Sequence, residues 1–418
     1  MRRRTLAIVI AAAAVAAILI VGVVTAGAQS PSSLPTIGVQ TLLQNVASNA
    51  AKTTAVNGDF SWSNGLLGST SLLSLGGSQT PTGLSSLLLG GSGRLWLQDG
   101  KMRLESQGQN GDLVAIVNGA TAWTWDSVAN TATKYALPNQ VAGTSAPLPA
   151  PSSSVDPATA IAGLIAKLAP TATLSMGDGQ VVAHQDAYIL KLTPVSQTTT
   201  VAAIEVAIDG RRWVPLRVQV FAKGASGAVL SAGFTNVSYT PAPDSLFSFT
   251  PPSGARVVHK DLSNALQGLQ SAAAAEPQAG KNAGPLTLAQ AKSAAPFLLT
   301  PASTAGLAFQ GAFVTPSTSQ DATTPAAAQP TVALLHYGTG FGSLLVVETP
   351  ASARQDSEIA QQLGQLSMIG KTMVNSMPAI KLQTSLGSGV TFTQGGVRVV
   401  VVGLVPFGDI TEIARSLQ

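Results

Sequence analysis

The sequence predicts an α+β protein built on antiparallel sheet, in two units joined by an Ala/Gln-rich linker. Three observations predict it. Short stretches of two-residue alternation recur in both halves, as they do when successive side chains point to opposite faces of a strand. Asx-Gly and Gly-Gly pairs separate many of them, and such close turns join antiparallel neighbours, because parallel strands need a long crossover. A few stripes at helical spacing carry cap residues at their ends. A length of 418 residues suits two domains.

The N-terminus reads as an export segment. Arg2-Arg3-Arg4 precedes an apolar run from Leu6 to Val24, and Ala26-Gly27-Ala28 follows as a small-residue cleavage site. Cleavage after Ala28 and a retained anchor that keeps the basic end inside are both open, with the rest of the chain outside the membrane either way. Without these three arginines the chain holds 20 basic against 19 acidic residues, so the basic balance is a property of the leader. No dense basic face remains for phosphate contacts, which argues against a nucleic-acid partner. There is no cysteine, which excludes disulfides, thiolate metal sites, cysteine nucleophiles and a lipidated cysteine.

Elements follow in order from residue 29. Leu42, Val46 and Ala50 mark a short amphipathic helix, and Asn57-Gly58 is expected to turn the chain into a strand holding Phe60 and Trp62. Between Trp62 and Arg94 the leucines Leu66, Leu67, Leu72, Leu73, Leu75, Leu84, Leu87, Leu88 and Leu89 are interspersed with Gly and Ser. That apolar load exceeds a flexible linker's. Two readings stand: a hydrophobic gate over a cavity mouth, with Leu72, Leu73, Leu87 and Leu88 as its candidates, or a helical insertion packed on its own domain. Arg94 to Leu97, Met102 to Ser106, Leu113 to Asn118, Thr121 to Asp126 and Thr131 to Ala136 read as a meander, with Asp99-Gly100, Asn110-Gly111 and Asn118-Gly119 at its turns. A helix is signalled by Asp156 as cap, Pro157 at its first position, the stripe Ile161, Leu164, Ile165 and Leu168, and Pro170 as its stop.

From Val181 to Val258 the pattern is clearest. Tyr188, Leu190 and Leu192 share one strand face, as do Ile204, Val206 and Ile208. Asp209-Gly210 supplies a turn, after which Leu216, Val218 and Val220 are expected on one face opposite Arg217 and Gln219. Residues 259–284 form the linker, with Leu262, Leu266 and Leu269 at helical spacing.

The C-terminal unit, 285–418, opens with Thr287 capping a helix that runs to Ala295 before Pro296. Val332, Leu334 and the stretch Tyr337 to Thr349 suggest a hairpin turning at Gly338-Thr339-Gly340. Ile359, Leu363, Leu366 and Ile369 mark a helix, and Gly389 to Leu404 a strand pair turning at Gly395-Gly396. A last helix is expected with Asp409 as cap, Glu412 three residues on, and the stripe Ile410, Ile413, Ala414 and Leu417.

Several of these stretches carry a resemblance. They are Ala187-Tyr188-Ile189-Leu190-Lys191-Leu192-Thr193-Pro194, Ile208-Asp209-Gly210 with Pro215-Leu216 following, Pro243-Asp244-Ser245-Leu246-Phe247, and Pro251-Pro252-Ser253-Gly254-Ala255. Together they resemble the end of a LolA-like domain, the family of outer-membrane lipoprotein carriers and relatives that include the MucB/RseB periplasmic regulators. The resemblance implies, for residues 29–258, a curved antiparallel sheet or half-barrel around an apolar cavity, with helices over its open side. It implies no catalysis and no cofactor. The helix after Asp156 sits where such a lid is expected, or is an ordinary amphipathic helix on a core. Pro285-Leu286-Thr287-Leu288-Ala289-Gln290-Ala291, Tyr337-Gly338-Thr339-Gly340 with Val347-Glu348-Thr349, and the ending from Gly403 to Leu417 are similar in outline to small α/β modules that follow LolA-like domains in actinobacterial regulators. No functional residue carries over from that second likeness.

Catalytic and metal motifs are missing. His184, His259 and His336 lie in separate segments with no spacing for a zinc site, and no Gly-x-Ser-x-Gly elbow or Ser-x-x-Lys dyad occurs. Gly338-x-Gly340-x-Gly342 lacks the following helix of a dinucleotide loop and reads as a turn. Trp96, Trp123, Trp125 and Tyr135 fall on neighbouring strands and, with Tyr188 and Leu190, are the candidates for a ligand-cavity wall; simple packing is the competing reading. Arg94, Arg103 and Lys134 are placed at the rim of such a cavity, where anionic head groups would meet them. The expected function is therefore an exported binding protein for a lipid, glycolipid or acylated protein. The alternative is an envelope-stress regulator that binds a membrane anti-sigma factor, as the MucB/RseB resemblance implies.

Overall fold

The computed structural model of the protein describes residues 32–49, 52–66, 90–108, 111–136, 169–261, 285–316, 331–351 and 369–418. Among them the protein is mostly β, with two sheets and three α-helices. The export segment, the gate candidates Leu72, Leu73, Leu87 and Leu88 and the helix expected after Asp156 lie outside the described residues, as does the expected 259–284 linker from residue 262 on; its residues 259–261 belong to a strand.

Helix α1 (Val39–Asn49) precedes a sheet of twelve strands: β1 (Ala55–Asn64), β2 (Gly90–Gln98), β3 (Lys101–Gly108), β4 (Gly111–Asn118), β5 (Thr121–Asp126), β6 (Thr131–Ala136), β7 (Ala172–Val182), β8 (Gln185–Pro194), β9 (Val201–Asp209), β10 (Pro215–Ala222), β11 (Ala228–Ser238) and β12 (Arg256–Asp261). Their order is β12-β6-β5-β4-β3-β2-β1-β11-β10-β9-β8-β7. Two meanders, β1 to β6 and β7 to β11, are thus stitched into one sheet where β1 pairs antiparallel with β11. The meander turns follow the Asx-Gly rule: Asp99 and Gly100, between β2 and β3, take φ of 47° and 75°, which suits the right-handed twist of the strands they join. The sheet is mixed, because β12 lies parallel beside β6.

Asn57-Gly58, expected as a turn, lies inside β1 instead. A Cβ on Gly58 would run into the carbonyl of Asn236 on β11, so glycine here permits close backbone approach beside a bulge at Asp59/Phe60. A second bulge, between Pro215 and Arg217 on β10, overturns the expected sidedness of Leu216. The extra residue shifts the alternation, so Leu216 packs with Ala187, Ile189 and Ala207, while Val218 and Val220 keep to the face of Leu190 and Val206. Strand β7, which carries Gly177, Asp178 and Gly179, shows little alternation in sequence and was not foreseen. It is one of the two edge strands of the described sheet, opposite β12, with a bulge between Gly177 and Gln180.

The second sheet is antiparallel throughout and carries two described helices, so the expected small α/β module is mostly β. Its strands are β13 (Phe309–Pro316), β14 (Thr331–Tyr337), β15 (Leu344–Pro350), β16 (Ile369–Val374), β17 (Met377–Gln383), β18 (Ser388–Gln394) and β19 (Val397–Gly403), in the order β13-β14-β15-β19-β18-β17-β16. Helices α2 (Leu288–Ala294) and α3 (Phe407–Ser416) cover one face over Leu335, Leu344, Val346, Val399 and Val401. Thr287 and Gln290 form the capping box of α2. Ile369 opens β16 rather than ending a helix, because it pairs with Leu382; Ile359, Leu363 and Leu366 lie outside the described residues. Helix α3 starts two residues before Asp409, with Pro406 at its N-cap. Asp409 therefore sits in the first turn, where a negative charge complements the helix dipole. The stripe Ile410, Ile413, Ala414 and Leu417 is buried as expected.

The two sheets meet at an apolar junction. Phe341, in the turn between β14 and β15, and Leu386, in the turn between β17 and β18, enter the core formed by α1 and strands β7 to β11. Thr200 donates its N–H to the Leu404 carbonyl at 2.9 Å and its hydroxyl to the Leu386 carbonyl at 2.6 Å, and the Thr199 hydroxyl also reaches Leu404 O at 3.1 Å. A Cβ on Gly340, whose φ is 54°, would collide with Thr171, so the glycine triplet read as a turn is also a docking surface between the sheets. Phe341→Ala is expected to remove about 3 kcal/mol of junction packing. The five tryptophans all lie in the first sheet or its loops. Urea unfolding followed by tryptophan emission and by far-UV circular dichroism should therefore separate into two transitions in this variant and coincide in the parent.

Candidate functional site

The pairing registers decide which side chains share a face of the large sheet. Directly opposed residues run Met176, Leu190, Val206, Val218, Ala232 and Trp62 across β7 to β1. On the far side of β1, Val56 continues the same face through Leu97, Met102, Val117, Ala122 and Tyr135. This row of the inner face is apolar from β7 to β6, although β1 and β11 shift register where they meet and β5 and β6 also carry Thr124, Asp126, Thr131 and Thr133 on the same side. Phe60 and Phe234 bridge the stitch edge to face, with ring centroids 5.4 Å apart.

The halves of the inner face differ in cover. Over β7 to β11, α1 buries Leu42 and Val46 against it, and Phe341 and Leu386 close its end. Over β2 to β4 the wall continues through Leu95, Leu97, Met102 and Leu104, of which all but Leu95 are only partly buried. Among the described residues no helix lies over this half.

Tyr188 anchors the covered half. Its ring stacks on Trp213 at 5.7 Å and an interplanar angle of 13°, and burial raises its phenol pKa above the ordinary value. Trp213 escaped the sequence reading because it lies in a loop, with φ of 61°. Asp209 builds that loop. One carboxylate oxygen accepts the N–H groups of Arg211 and Arg212 at 2.7 Å each, and the other accepts the Tyr239 hydroxyl at 2.5 Å. Burial and the neighbouring Asp209 charge push the Tyr239 phenol strongly upward, so this hydroxyl stays a donor. Arg212 completes the cluster by lying over the Tyr239 ring at 5.0 Å.

The opposite, outer face of β2 to β6 is crossed by a strap, residues 240–254, that leads from β11 to β12. Gln98 clamps it by donating to the Ala242 carbonyl at 3.1 Å and accepting the Ala242 N–H at 2.7 Å. Lys101 pairs with Asp244 at 2.8 Å, Arg103 donates to the Leu246 carbonyl at 2.8 Å, and Asn118 to the Phe247 carbonyl at 3.3 Å. Phe247 is buried, and Phe249 lies against Trp123 and Trp125 with centroids 5.4 and 6.5 Å away. The strap delivers β12 to β6 in parallel orientation, which is why the sheet is mixed.

The six wall candidates therefore divide. Tyr188, Leu190 and Tyr135 are on the inner face. Trp96, Trp123 and Trp125 are on the outer face, because Trp123 opposes Lys134 and it is Ala122 that opposes Tyr135. The expected basic rim shares that outer face: Arg94 pairs with Asp59 at 3.4 Å, Arg103 holds the strap, and Lys134 lies over Trp123 at 5.7 Å. Side chains that the sequence reading did not select, Phe60, Leu97, Met102 and Leu104, form the open part of the inner wall. Their alternation was visible, but which face their strands share with Leu190 depends on the β1–β11 register. Among the described residues no group of three or more His, Cys, Asp or Glu side chains is placed to hold a metal.

Fold and site define a protein with one long apolar sheet face, strapped on its reverse side and docked to a second sheet. No protein-family model matches the chain, and no curated protein matches it. Over most of its length it is similar in structure to MucB, and over part of it to LolA superfamily proteins. The crystal structure of MucB in complex with MucA(peri) is matched over 90% of this chain and 98% of that one, at 16% identity and a TM-score of 0.42. The Pseudomonas aeruginosa MucA/MucB complex is matched over 90% and 97%, at 14% identity and a TM-score of 0.40. A LolA superfamily protein from Nitrosomonas europaea is matched over 51% of this chain and 99% of its own, at 8% identity and a TM-score of 0.21.

Asp209→Ala strips three donors of their acceptor and is expected to cost about 3 kcal/mol, against about 1 kcal/mol for Tyr239→Phe, which removes a single donor. Urea midpoints rank the two. The Trp213 contribution to the emission spectrum is expected to shift to the red only in the Asp209 variant, where the loop loses its frame.

Proposed function

We propose that this protein is an exported, non-enzymatic binding protein that holds a lipid or the acyl chain of a modified protein against the inner face of its large sheet. The observation that carries the reading is the continuity of that face: apolar from Tyr188 and Leu190 to Met102 and Tyr135, it is only partly buried over β2 to β4. An acyl chain laid there gains roughly 0.8 kcal/mol for each CH₂ removed from water. In this reading residues 29–258, with β12 running on to Asp261 rather than ending at the expected boundary, form the curved LolA-like half-barrel, the remainder of 259–284 a linker and 285–418 an accessory domain. Leu72, Leu73, Leu87 and Leu88 are proposed as the gate of the open half, and residues 1–28 as signal or anchor. Localisation outside the plasma membrane follows from that segment; no described helix is long and apolar enough to cross a membrane.

A second reading, an envelope-stress regulator that binds the external part of a membrane anti-sigma factor, is favoured by the junction. Phe341, Leu386 and the Thr199 and Thr200 hydrogen bonds hold the two sheets together, so a partner chain could engage both at once.

Native mass spectrometry of residues 29–418, purified from a phospholipid-rich bacterial host and followed by organic extraction, tests the first reading. Bound lipid is expected. Met102→Glu and Leu104→Glu, on the open inner wall, should reduce the bound fraction at least about tenfold, since each sets a charge where apolar contact is needed. Trp125→Ala, on the outer face, should leave it unchanged. Equal loading of all variants would remove the inner face as the site, and a lipid-free mass of the parent would turn the assignment to the protein-binding regulator.

A further inference from the structure

Glu348, on β15 of the second sheet, is a carboxylic acid with no exposed surface, in a core otherwise built of Val, Leu, Ile, Ala, Phe and Tyr. One of its oxygens accepts the N–H of Leu299 at 2.7 Å, and the other has no hydrogen-bond partner. Leu299 belongs to a stretch that leaves α2 and runs directly into the end of the chain. Thr300 and Gln418 exchange two backbone hydrogen bonds, at 3.0 and 3.2 Å, and Ala302 donates to the Ser416 carbonyl at 2.9 Å. The side-chain bond from Glu348 ties α2's exit to the sheet, while the end of the chain that pairs with this exit is also held by Gln394, which donates to the Leu417 carbonyl at 2.9 Å, and by Asn375, which donates to the Arg415 carbonyl at 2.7 Å. We propose that Glu348 is a protonation latch: as the neutral acid it is accommodated in the apolar core and residues 295–302 stay sealed on the second sheet with the chain's end against them, and as the anion it draws that exit open toward water, because the Leu299 N–H alone cannot replace the lost hydration.

The chemistry follows from burial. An ionised carboxylate with one lone oxygen in an apolar core lacks the donors that would replace water, whereas the neutral acid needs far less solvation. The charged groups around it do not repair this. The Leu299 N–H bond and, more weakly, Lys292 on α2 favour the anion; from β14, Tyr337 is a neutral phenol, itself pushed up to about 12 by burial and by Glu348; directly opposite are Ala333 on β14 and Val399 on β19. From α3 the facing residues are Ile410, Ile413 and Ala414, and the acidic Glu412 is engaged by the Ser303 hydroxyl at 2.6 Å. Burial dominates and raises the Glu348 carboxyl from 4.5 to about 7.

The sign of the linkage is set by that direction. Between 4.5 and about 7 the folded chain holds a proton that the unfolded chain has lost. The stabilisation is thus fully present below 4.5, declines as pH rises, and is gone above the folded value. The upper bound on its effect is roughly 300-fold in the opening equilibrium. Two nearby groups also titrate. His336, held below 6.5 by burial, works against Glu348, because its stabilisation is lost as pH falls; Asp409, raised by burial and Glu412, works with it at lower pH. Both remain in a Glu348→Gln variant, so the difference between parent and variant isolates the latch.

Hydrogen exchange of the chain from residue 29 reads it directly, at peptides covering Leu298 to Thr304 and Arg415 to Gln418. After correction for intrinsic rates, protection in the parent is expected to fall roughly 100-fold between pH 5 and 8. In Glu348→Gln the same peptides should change by about threefold or less, while tryptophan emission from the first sheet stays constant in both. Parallel pH dependence in parent and variant would overturn the latch. A second reading, independent of any variant, is the carboxyl ¹³C titration of Glu348 in the parent: a midpoint near 7 supports the proposal and one near 4.5 refutes it.

Discussion

The pairing of β1 with β11 is the constraint on which the larger sheet depends. Every other antiparallel contact in that sheet joins strands consecutive in the chain. Among the antiparallel pairs, β1 and β11 must find each other across more than a hundred residues, and their register determines whether the apolar faces of the two meanders coincide. A slip of one residue would turn Leu95, Leu97 and Leu104 away from the face of Leu190 and Val206. The bulge at Asp59/Phe60, the close approach at Gly58 and the Phe60–Phe234 contact hold the register in place.

With the inner face set, the reverse side needs its own cover, and the strap supplies it. Strands β2 to β6 place Trp96, Trp123, Trp125 and Ile116 on the outer face, where open water would oppose them. The strap meets them with Phe247 and Phe249 and satisfies its own backbone through Gln98, Arg103 and Asn118. This arrangement accounts for the short run from Pro243 to Phe249, which carries part of the LolA-like resemblance. That run is a tether across the outer face, distant from the wall proposed to meet a ligand.

The second sheet is built differently. Its helix-covered face has a densely apolar core, and the one acid within it is Glu348. Its turns at Phe341 and Leu386 serve the first sheet's core as much as their own hairpins. The two sheets therefore share packing at one end while the C-terminal residues close the other through Thr300, Ala302 and Leu299. A structure arranged in this way can loosen at its C-terminal seam without disturbing the inner face of the large sheet.

Strand positions in the first meander, the Thr287 cap, the Gly395-Gly396 hairpin and the buried stripe of the last helix were all legible in the sequence, because each depends on residues a few positions apart. Tyr188, Leu190 and Leu192 were likewise legible as one face of one strand. What the sequence could not decide was which faces meet. Tyr135 and Trp123 are twelve residues apart, an even step, yet they sit on opposite sides of the sheet, because the turn at 127–130 sets Asp126 opposite Thr131 and so changes the parity between β5 and β6. Leu216 changed face through one extra residue, Trp213 reached the core from a loop, and Glu348 became a buried acid only when α2 and the chain's end closed over it. Local alternation and turn chemistry are written residue by residue; the assignment of faces arises from long-range register and burial, which exist only in the folded chain.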